Sequence, residues 1–206
     1  MNFKPLLTLL LLASTAVATD QASAVDLSVS GRINPSSACN LSLGNNGQID
    51  LGTLSRQDLR ANDETLIIHP GLMTLTIQCQ TPTKTAIKAI DNRESSDVGL
   101  WGYSHYGLGI PGSQSRFWFY PNSHFGDGKP LDRLVSGRDG NWEVSDPPMY
   151  PSSLNAWAEE GSALPQAFKT ISSELSFYIK LAAPRDLDLS REVVLDGSAT
   201  LELVYL

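Results

Sequence analysis

The residue types that bear most directly on chemistry are two cysteines, Cys39 and Cys79, in a chain of 206 residues. In an exported protein, two cysteines pair with each other by default because extracellular compartments are oxidising. A bridge between them closes a loop of about 40 residues, for which the chain-entropy estimate is roughly 4 kcal/mol of stabilisation. The sequence therefore predicts a Cys39–Cys79 disulfide.

Residues that could act in catalysis or metal binding form no recognisable pattern. His69, His105 and His124 are scattered along the chain, and neither a nucleophile elbow nor tight metal-ligand spacing accompanies them. Four aspartates in the glycine-rich middle lack the spacing of a calcium loop and are interpreted as turn residues. They are Asp127, Asp132, Asp139 and Asp146. We expect no enzymatic activity, no metal site and no cofactor.

Aromatic residues are frequent in the middle of the chain, between residues 98 and 165. Tryptophan rings on loops can stack on sugar rings, which makes Trp101, Trp142 and Trp157 candidate glycan-stacking residues. The favoured alternative is that the aromatic side chains fill the core. Two of these tryptophans exposed together beside a carboxylate would favour the glycan site.

The chain begins with a candidate signal peptide. Lys4 precedes an apolar run at residues 6–13, which is too short to span a bilayer. Small-residue cleavage sites end at Ala18 and Ala24. We favour cleavage after Ala24, which predicts a signal peptide at residues 1–24 and a single mature domain at residues 25–206. The net charge of −7 argues against nucleic-acid binding, and no later segment is long enough to span a membrane.

Short alternating segments, separated by Gly, Pro and Asn, predict an all-β domain. The clearest strand covers residues 73–80, with Cys79 on its apolar face. The last eight residues form another strand, whose apolar face consists of Ala199, Leu201, Leu203 and Tyr205. Further strands are predicted at residues 49–52, 84–90, 115–120, 141–144 and 191–195, with one or two helical turns at 154–160. The rest of the middle is expected to be a loop region rich in Gly, Pro and aromatic residues.

Taken in order, these features resemble the subunits of chaperone–usher fimbriae, and within them the DUF1120 group of fimbrial-like proteins. Four features carry the resemblance: the segment 25–33 after the signal peptide, the cysteine that ends the 75–79 strand, the motif Asp91-Asn92-Arg93, and the C-terminal segment 195–206 with its penultimate Tyr205.

The resemblance implies an immunoglobulin-like, pilin-type β-sandwich that lacks one strand and so exposes a groove. It implies three kinds of partner: a periplasmic pilus chaperone, an outer-membrane usher and neighbouring fimbrial subunits. Candidate donor-strand residues are Val25, Leu27 and Val29. The candidate chaperone-facing strand carries Ala199, Leu201, Leu203 and Tyr205.

We therefore expect a structural subunit of a surface fimbria, exported through the periplasm and assembled by strand addition. The alternative is a single-domain carbohydrate-binding adhesin or minor tip subunit that uses the aromatic-rich middle to bind a host or surface glycan.

Overall fold

The computed structural model describes residues 38–93, 105–136 and 140–206. Asn34–Leu206 forms one compact unit. The predicted signal peptide, the candidate donor residues Val25, Leu27 and Val29, and Trp101 lie outside the described residues.

The described part of the chain contains ten strands joined by turns and irregular segments, and none of its residues is α-helical. The strands are β1 Cys39–Leu43, β2 Thr65–Ile68, β3 Met73–Asp91, β4 Tyr106–Gly107, β5 Arg116–Gly126, β6 Lys129–Ser136, β7 Trp142–Val144, β8 Leu154–Glu159, β9 Ala167–Leu181 and β10 Ala199–Tyr205. Short 3-10 turns occupy Gly44–Gly47, Arg56–Asp58 and Pro184–Asp186. The all-β prediction is confirmed. Within these ranges, no helix has the length and apolar character needed to cross a membrane.

The long strands β3 and β9 organise the sheet because each pairs with different neighbours along its length. The first part of β3 pairs antiparallel with β1 and β9, and its last part pairs with β10 and β8. Strands β8, β6, β5 and β9 then lead back to β3, so that the pairing closes into a ring. In the described ranges β1 and β10 pair only with β3, which leaves one edge of each strand without a partner strand.

The core lies inside this ring and contains the apolar face predicted for the 73–80 strand. Leu75 and Ile77 of β3 are fully buried, and Cys79 is 4% exposed. They pack in one cluster with Phe119 of β5 and Ile171 of β9, among others. Alternation identified this face correctly because only one side of the first part of β3 is buried.

The disulfide joins residues that face each other in the sheet. Cys39 is directly opposite Cys79 in the antiparallel pairing of β1 with β3, and their sulfur atoms are bonded. The predicted Cys39–Cys79 disulfide is confirmed.

The middle of the chain differs most from the sequence prediction. The helical turns predicted at residues 154–160 are wrong, because Leu154–Glu159 is the strand β8. Its residues 155–158 are all buried, so the strand shows none of the alternation that marks a strand with one solvated face. The expected loop region likewise contains β6 and most of β5.

Three predicted strands have different bounds or are absent. Residues 84–90 belong to β3 rather than to a separate strand, and residues 49–52 and 191–195 are irregular. The irregular segments carry apolar side chains such as Ile49, Leu51 and Leu195, which pack against the core. Alternation predicted burial correctly there, but neither segment lies beside a strand with which it pairs.

Candidate functional site

An apolar groove of about 670 Å³ opens on one side of the core. Its floor is formed by side chains of β5 and β9, namely Phe117, Phe119, Leu175, Phe177 and Ile179. Two irregular segments, residues 49–54 and 187–195, and the beginning of β10 form its rim. The charged residues in its lining are Asp50, Arg191 and Glu192. The groove therefore suits an apolar occupant with few charges.

The C-terminal strand β10 borders this groove with the face that the sequence predicts. Ala199 and Leu201 line the groove, and both pack against the core together with Leu203. Tyr205 departs from the prediction of a buried face, since it is 51% exposed. It lies where β10 ends beside the start of β1, and its hydroxyl accepts a hydrogen bond from the Cys39 backbone N–H at 3.0 Å.

The backbone of β10 presents hydrogen-bonding groups away from β3. The Leu206 N–H donates to the Lys84 carbonyl at 3.1 Å. Because successive N–H groups of an antiparallel strand alternate in direction, those of Thr200, Glu202 and Val204 also point to β3. The N–H and C=O groups of the alternate residues point to the unpaired edge. They belong to Ala199, Leu201, Leu203 and Tyr205.

The groove rim at residues 187–195 is the part that sequence reasoning missed. Leu187, Leu189, Val193 and Leu195 are all partly buried and all line the groove. Leu187 and Leu189 are two residues apart, as are Val193 and Leu195, but only the second pair was interpreted, as part of a strand over residues 191–195. The structure instead uses both pairs in an irregular apolar wall.

The two candidate glycan-stacking tryptophans that the structure describes, Trp142 and Trp157, are not exposed together. Trp157 is 1% exposed and belongs to the core, so its proposed role in stacking on a sugar is wrong. Trp142 is partly buried against Ala86 and Leu134. Trp101 lies outside the described residues. The favoured interpretation, that aromatic side chains fill the core, holds for Trp157 and Phe119.

A serine and a histidine meet at a position that the sequence did not reveal. The Nδ1 atom of His124 lies 2.8 Å from the Ser173 hydroxyl oxygen and 3.4 Å from the indole Nε1 of Trp157. Burial, reinforced by the charge of Arg133, lowers the pKa of His124 to about 4. Ser173 is 1% exposed, so a substrate has no access to its hydroxyl, and we interpret the pair as a buried polar contact between β5 and β9.

Two aspartates of the middle region, Asp127 and Asp132, bind backbone N–H groups of distant residues. Asp127 accepts hydrogen bonds from the backbone N–H groups of Lys169 and Thr170, and Asp132 accepts one from Gly161. Asp139 lies outside the described residues. Across residues 38–93, 105–136 and 140–206, no group of three or more His, Cys, Asp or Glu side chains could hold a metal ion.

A comparison with known protein families finds a match for part of this chain. Residues 27–112 match the family DUF1120, described as a protein of unknown function. This match supports the DUF1120 family. The DUF1120 match includes both cysteines, all of β1 to β4 and residues 91–93, and it ends before β5. No curated protein matches the chain.

Proposed function

We propose that this protein is a structural subunit of a chaperone–usher type surface fimbria, and that its groove accepts an extended strand from another protein. The observation that carries the proposal is the apolar groove of about 670 Å³ beside β10, together with the edge of that strand to which no other described strand pairs.

Both features are unfavourable in an isolated subunit. Apolar surface left in water forgoes about 25 cal/mol for each Å² that could be buried, and an unpaired strand edge invites association with other chains. An added strand would remove both at once, since its alternate side chains would enter the groove and its backbone would pair with β10. The groove thus favours a function in which a partner supplies the strand.

The proposed occupants are a strand of the periplasmic chaperone and then the N-terminal segment of the neighbouring subunit. In that segment Val25, Leu27 and Val29 alternate with Asp26 and Ser28. An extended chain places the three apolar side chains on one face and the polar ones on the other. This pattern suits a groove whose lining is mainly aliphatic and aromatic.

The same proposal includes the immunoglobulin-like, pilin-type sandwich with one strand position unfilled. It is supported by the two groups of strands that β3 connects, namely β1 and β9 along its first part and β8 and β10 along its last part. It is also supported by the position of β1 and β10 as edge strands next to the groove. Export through the periplasm and incorporation into a fimbrium with the usher's help complete the proposal.

The experiment is strand complementation of the mature chain. Residues 25–33 are fused through a short flexible linker after Leu206, and the fusion is compared with the unfused chain in the periplasm and after purification. We expect the fused chain to accumulate as a soluble monomer with a higher melting temperature, and the unfused chain to accumulate in smaller amounts and to unfold at a lower temperature.

The matched control is the same fusion with Val25, Leu27 and Val29 of the added copy replaced by Asp, which keeps its length and its backbone. It should behave like the unfused chain. If the unfused chain is already a stable monomer and neither fusion changes its melting temperature, the proposal is wrong.

The adhesin alternative has less support from the described residues, since Trp157 is buried in the core and Trp142 is partly buried.

A further inference from the structure

The motif Asp91-Asn92-Arg93 ends β3 at the point where β10 begins. Asp91 is the β3 partner of Ala199, the first residue of β10. One Asp91 carboxylate oxygen accepts the Arg93 backbone N–H at 2.8 Å, and the other accepts the Gly107 backbone N–H at 3.0 Å. Residues 91–93, called the β3 corner below, are thereby held in a fixed conformation against β4.

Asn92 bonds to the start of β10 with its backbone and with its side chain. Its backbone N–H donates to the Ser198 carbonyl at 3.0 Å. Its side-chain Nδ2 lies 3.0 Å from the hydroxyl oxygens of both Ser198 and Thr200, and its Oδ1 accepts from the Thr200 hydroxyl at 3.3 Å. Asn92 therefore bonds to two positions on the outer side of β10, one before the strand and one within it.

Arg93 holds the residues that lead into β10. Its Nε and one terminal nitrogen donate to the same carboxylate oxygen of Asp196, at 3.1 and 2.7 Å. The Asp196 backbone N–H donates to the Leu108 carbonyl at 2.9 Å. A Cβ atom on Gly109 would lie 2.9 Å from the Asp196 carbonyl oxygen, so the chain passes this point in close contact.

These contacts matter because the apolar side chains Leu201 and Leu203 do not define the register of β10 by themselves. At the other end of the strand, the Tyr205 hydroxyl adds its bond with the Cys39 backbone N–H. A shift of one residue would move the apolar face of β10 to solvent, but a shift of two residues would leave it on the same side. Positions 201 and 203 are both leucine, with Leu201 opposite Ala89 and Leu203 opposite Ile87 in β3. A two-residue slip therefore changes the apolar pairing little, whereas it removes the contacts of Asn92 with Ser198 and Thr200.

The contacts also hold residues that line the groove. Gly197, Ser198 and Ala199 line the groove, and they lie between the residues that Arg93 and Asn92 hold. The β3 corner thus determines which residues of β10 face an incoming strand.

We propose that Asn92 and Arg93 are positioning residues for strand acceptance, and that they lock the register of β10 on β3 while the groove is unoccupied. This inference rests on the proposed function. The Arg93–Asp196 pair is exposed and adds little stability alone. Asn92 carries most of the effect, and Arg93 orients the approach to the strand.

The register is tested directly with a synthetic peptide of residues 25–33 that carries a photo-crosslinking side chain in place of Leu27. It is added to the unfused mature chain, and mass spectrometry locates the crosslinked residue. We expect one crosslinked position in the wild-type chain. In Asn92→Ala we expect a second position two residues away and about tenfold weaker binding of the peptide, with a smaller effect in Arg93→Ala.

The matched control is Asn122→Ala. Asn122 makes the same kinds of bond, to the Tyr120 carbonyl and the Ser176 hydroxyl, but it joins β5 to β9 and does not touch β10. It should leave the crosslinked position unchanged even if it lowers the melting temperature. Thr200→Val is a milder variant that removes one of the two hydroxyl partners of Asn92 and leaves Ser198 in place, and it keeps the test valid if Asn92→Ala does not fold.

Hydrogen exchange of the chain without peptide separates this inference from the proposed function. In Asn92→Ala the amides of Thr200 and Glu202 should exchange about tenfold faster than in wild type, and the amides of β1 should be unaffected. If the wild-type chain never binds the peptide, the proposed function is contradicted. The exchange rates of Thr200 and Glu202 would still show whether Asn92 holds the register of β10. A single crosslinked position together with wild-type exchange at Thr200 and Glu202 would overturn the inference.

Discussion

At the scale of the residue, His124 links the stability of the fold to pH. Burial and the charge of Arg133 lower its pKa from 6.5 to about 4, against the opposing effect of Asp146 and Asp132. Between these two values the unfolded chain binds a proton at His124 and the folded chain does not. Stability should therefore fall as the pH is lowered through this window.

The variant His124→Asn tests this linkage because it keeps an acceptor near the Nδ1 position and cannot be protonated. Between pH 7 and roughly pH 4.5 the wild-type chain should lose about 2 kcal/mol more unfolding free energy than the variant. Urea unfolding of the strand-complemented chain at both pH values measures the difference. Equal losses in the two proteins would show that His124 does not titrate in this way.

Tyr205 provides a second test at this scale. Tyr205→Phe keeps the ring and removes the hydroxyl that accepts the Cys39 N–H, so we expect a loss of about 1 kcal/mol of unfolding free energy. Urea unfolding measures it, with Tyr178→Phe as control, since the Tyr178 hydroxyl makes no hydrogen bond within the described residues. An unchanged stability in Tyr205→Phe would mean that β1 and β10 do not depend on this bond.

At the scale of the element, β10 is the strand whose loss should matter most. Leu201 lines the groove and packs on the core, whereas the neighbouring Glu202 is exposed. Leu201→Asp places a carboxylate in an apolar site, which costs several kcal/mol. We expect accumulation in the periplasm together with the proposed chaperone to fall at least about tenfold, as it should when residues 199–206 are deleted.

Immunoblotting of periplasmic extracts measures this effect, with Glu202→Gln as the control on the opposite face of the same strand. The control should accumulate like wild type. Normal accumulation of Leu201→Asp as a stable monomer would contradict the role assigned to β10.

The elements also show which parts of the structure could be predicted. The first part of β3 and β10 as far as Leu203 were predicted with their correct faces because each has one more buried side, which leaves alternation in the sequence. Strand β8 was missed because residues 155–158 are buried on both sides. The groove wall at residues 187–195 was interpreted as containing a strand, since alternation reports burial and cannot report whether a partner strand lies alongside. The contacts of Asn92 join residues more than 100 positions apart, which no local pattern reveals.

At the scale of the whole molecule, the disulfide constrains the unfolded chain. It joins residues separated by 40 positions, and removing it should cost about 4 kcal/mol of unfolding free energy. The double variant Cys39→Ala, Cys79→Ala measures this by urea unfolding of the strand-complemented chain, with chemically reduced wild-type chain as a second reference. A loss below about 1 kcal/mol in both would show that β1 is held on β3 mainly by its hydrogen bonds and its packing.

The position of that disulfide determines how the molecule carries a mechanical load. Cys39 is the first residue of β1, and its bond leads to the first half of β3, the longest of the described strands. Tension applied to the chain before Cys39 therefore passes through a covalent bond into β3. The hydrogen bonds between β1 and β3 are bypassed, and the segment between the two cysteines is not stretched while the bond is intact. When the chain is pulled from that end, its extension on unfolding should exclude the length of this segment, and reduction of the disulfide should add that length.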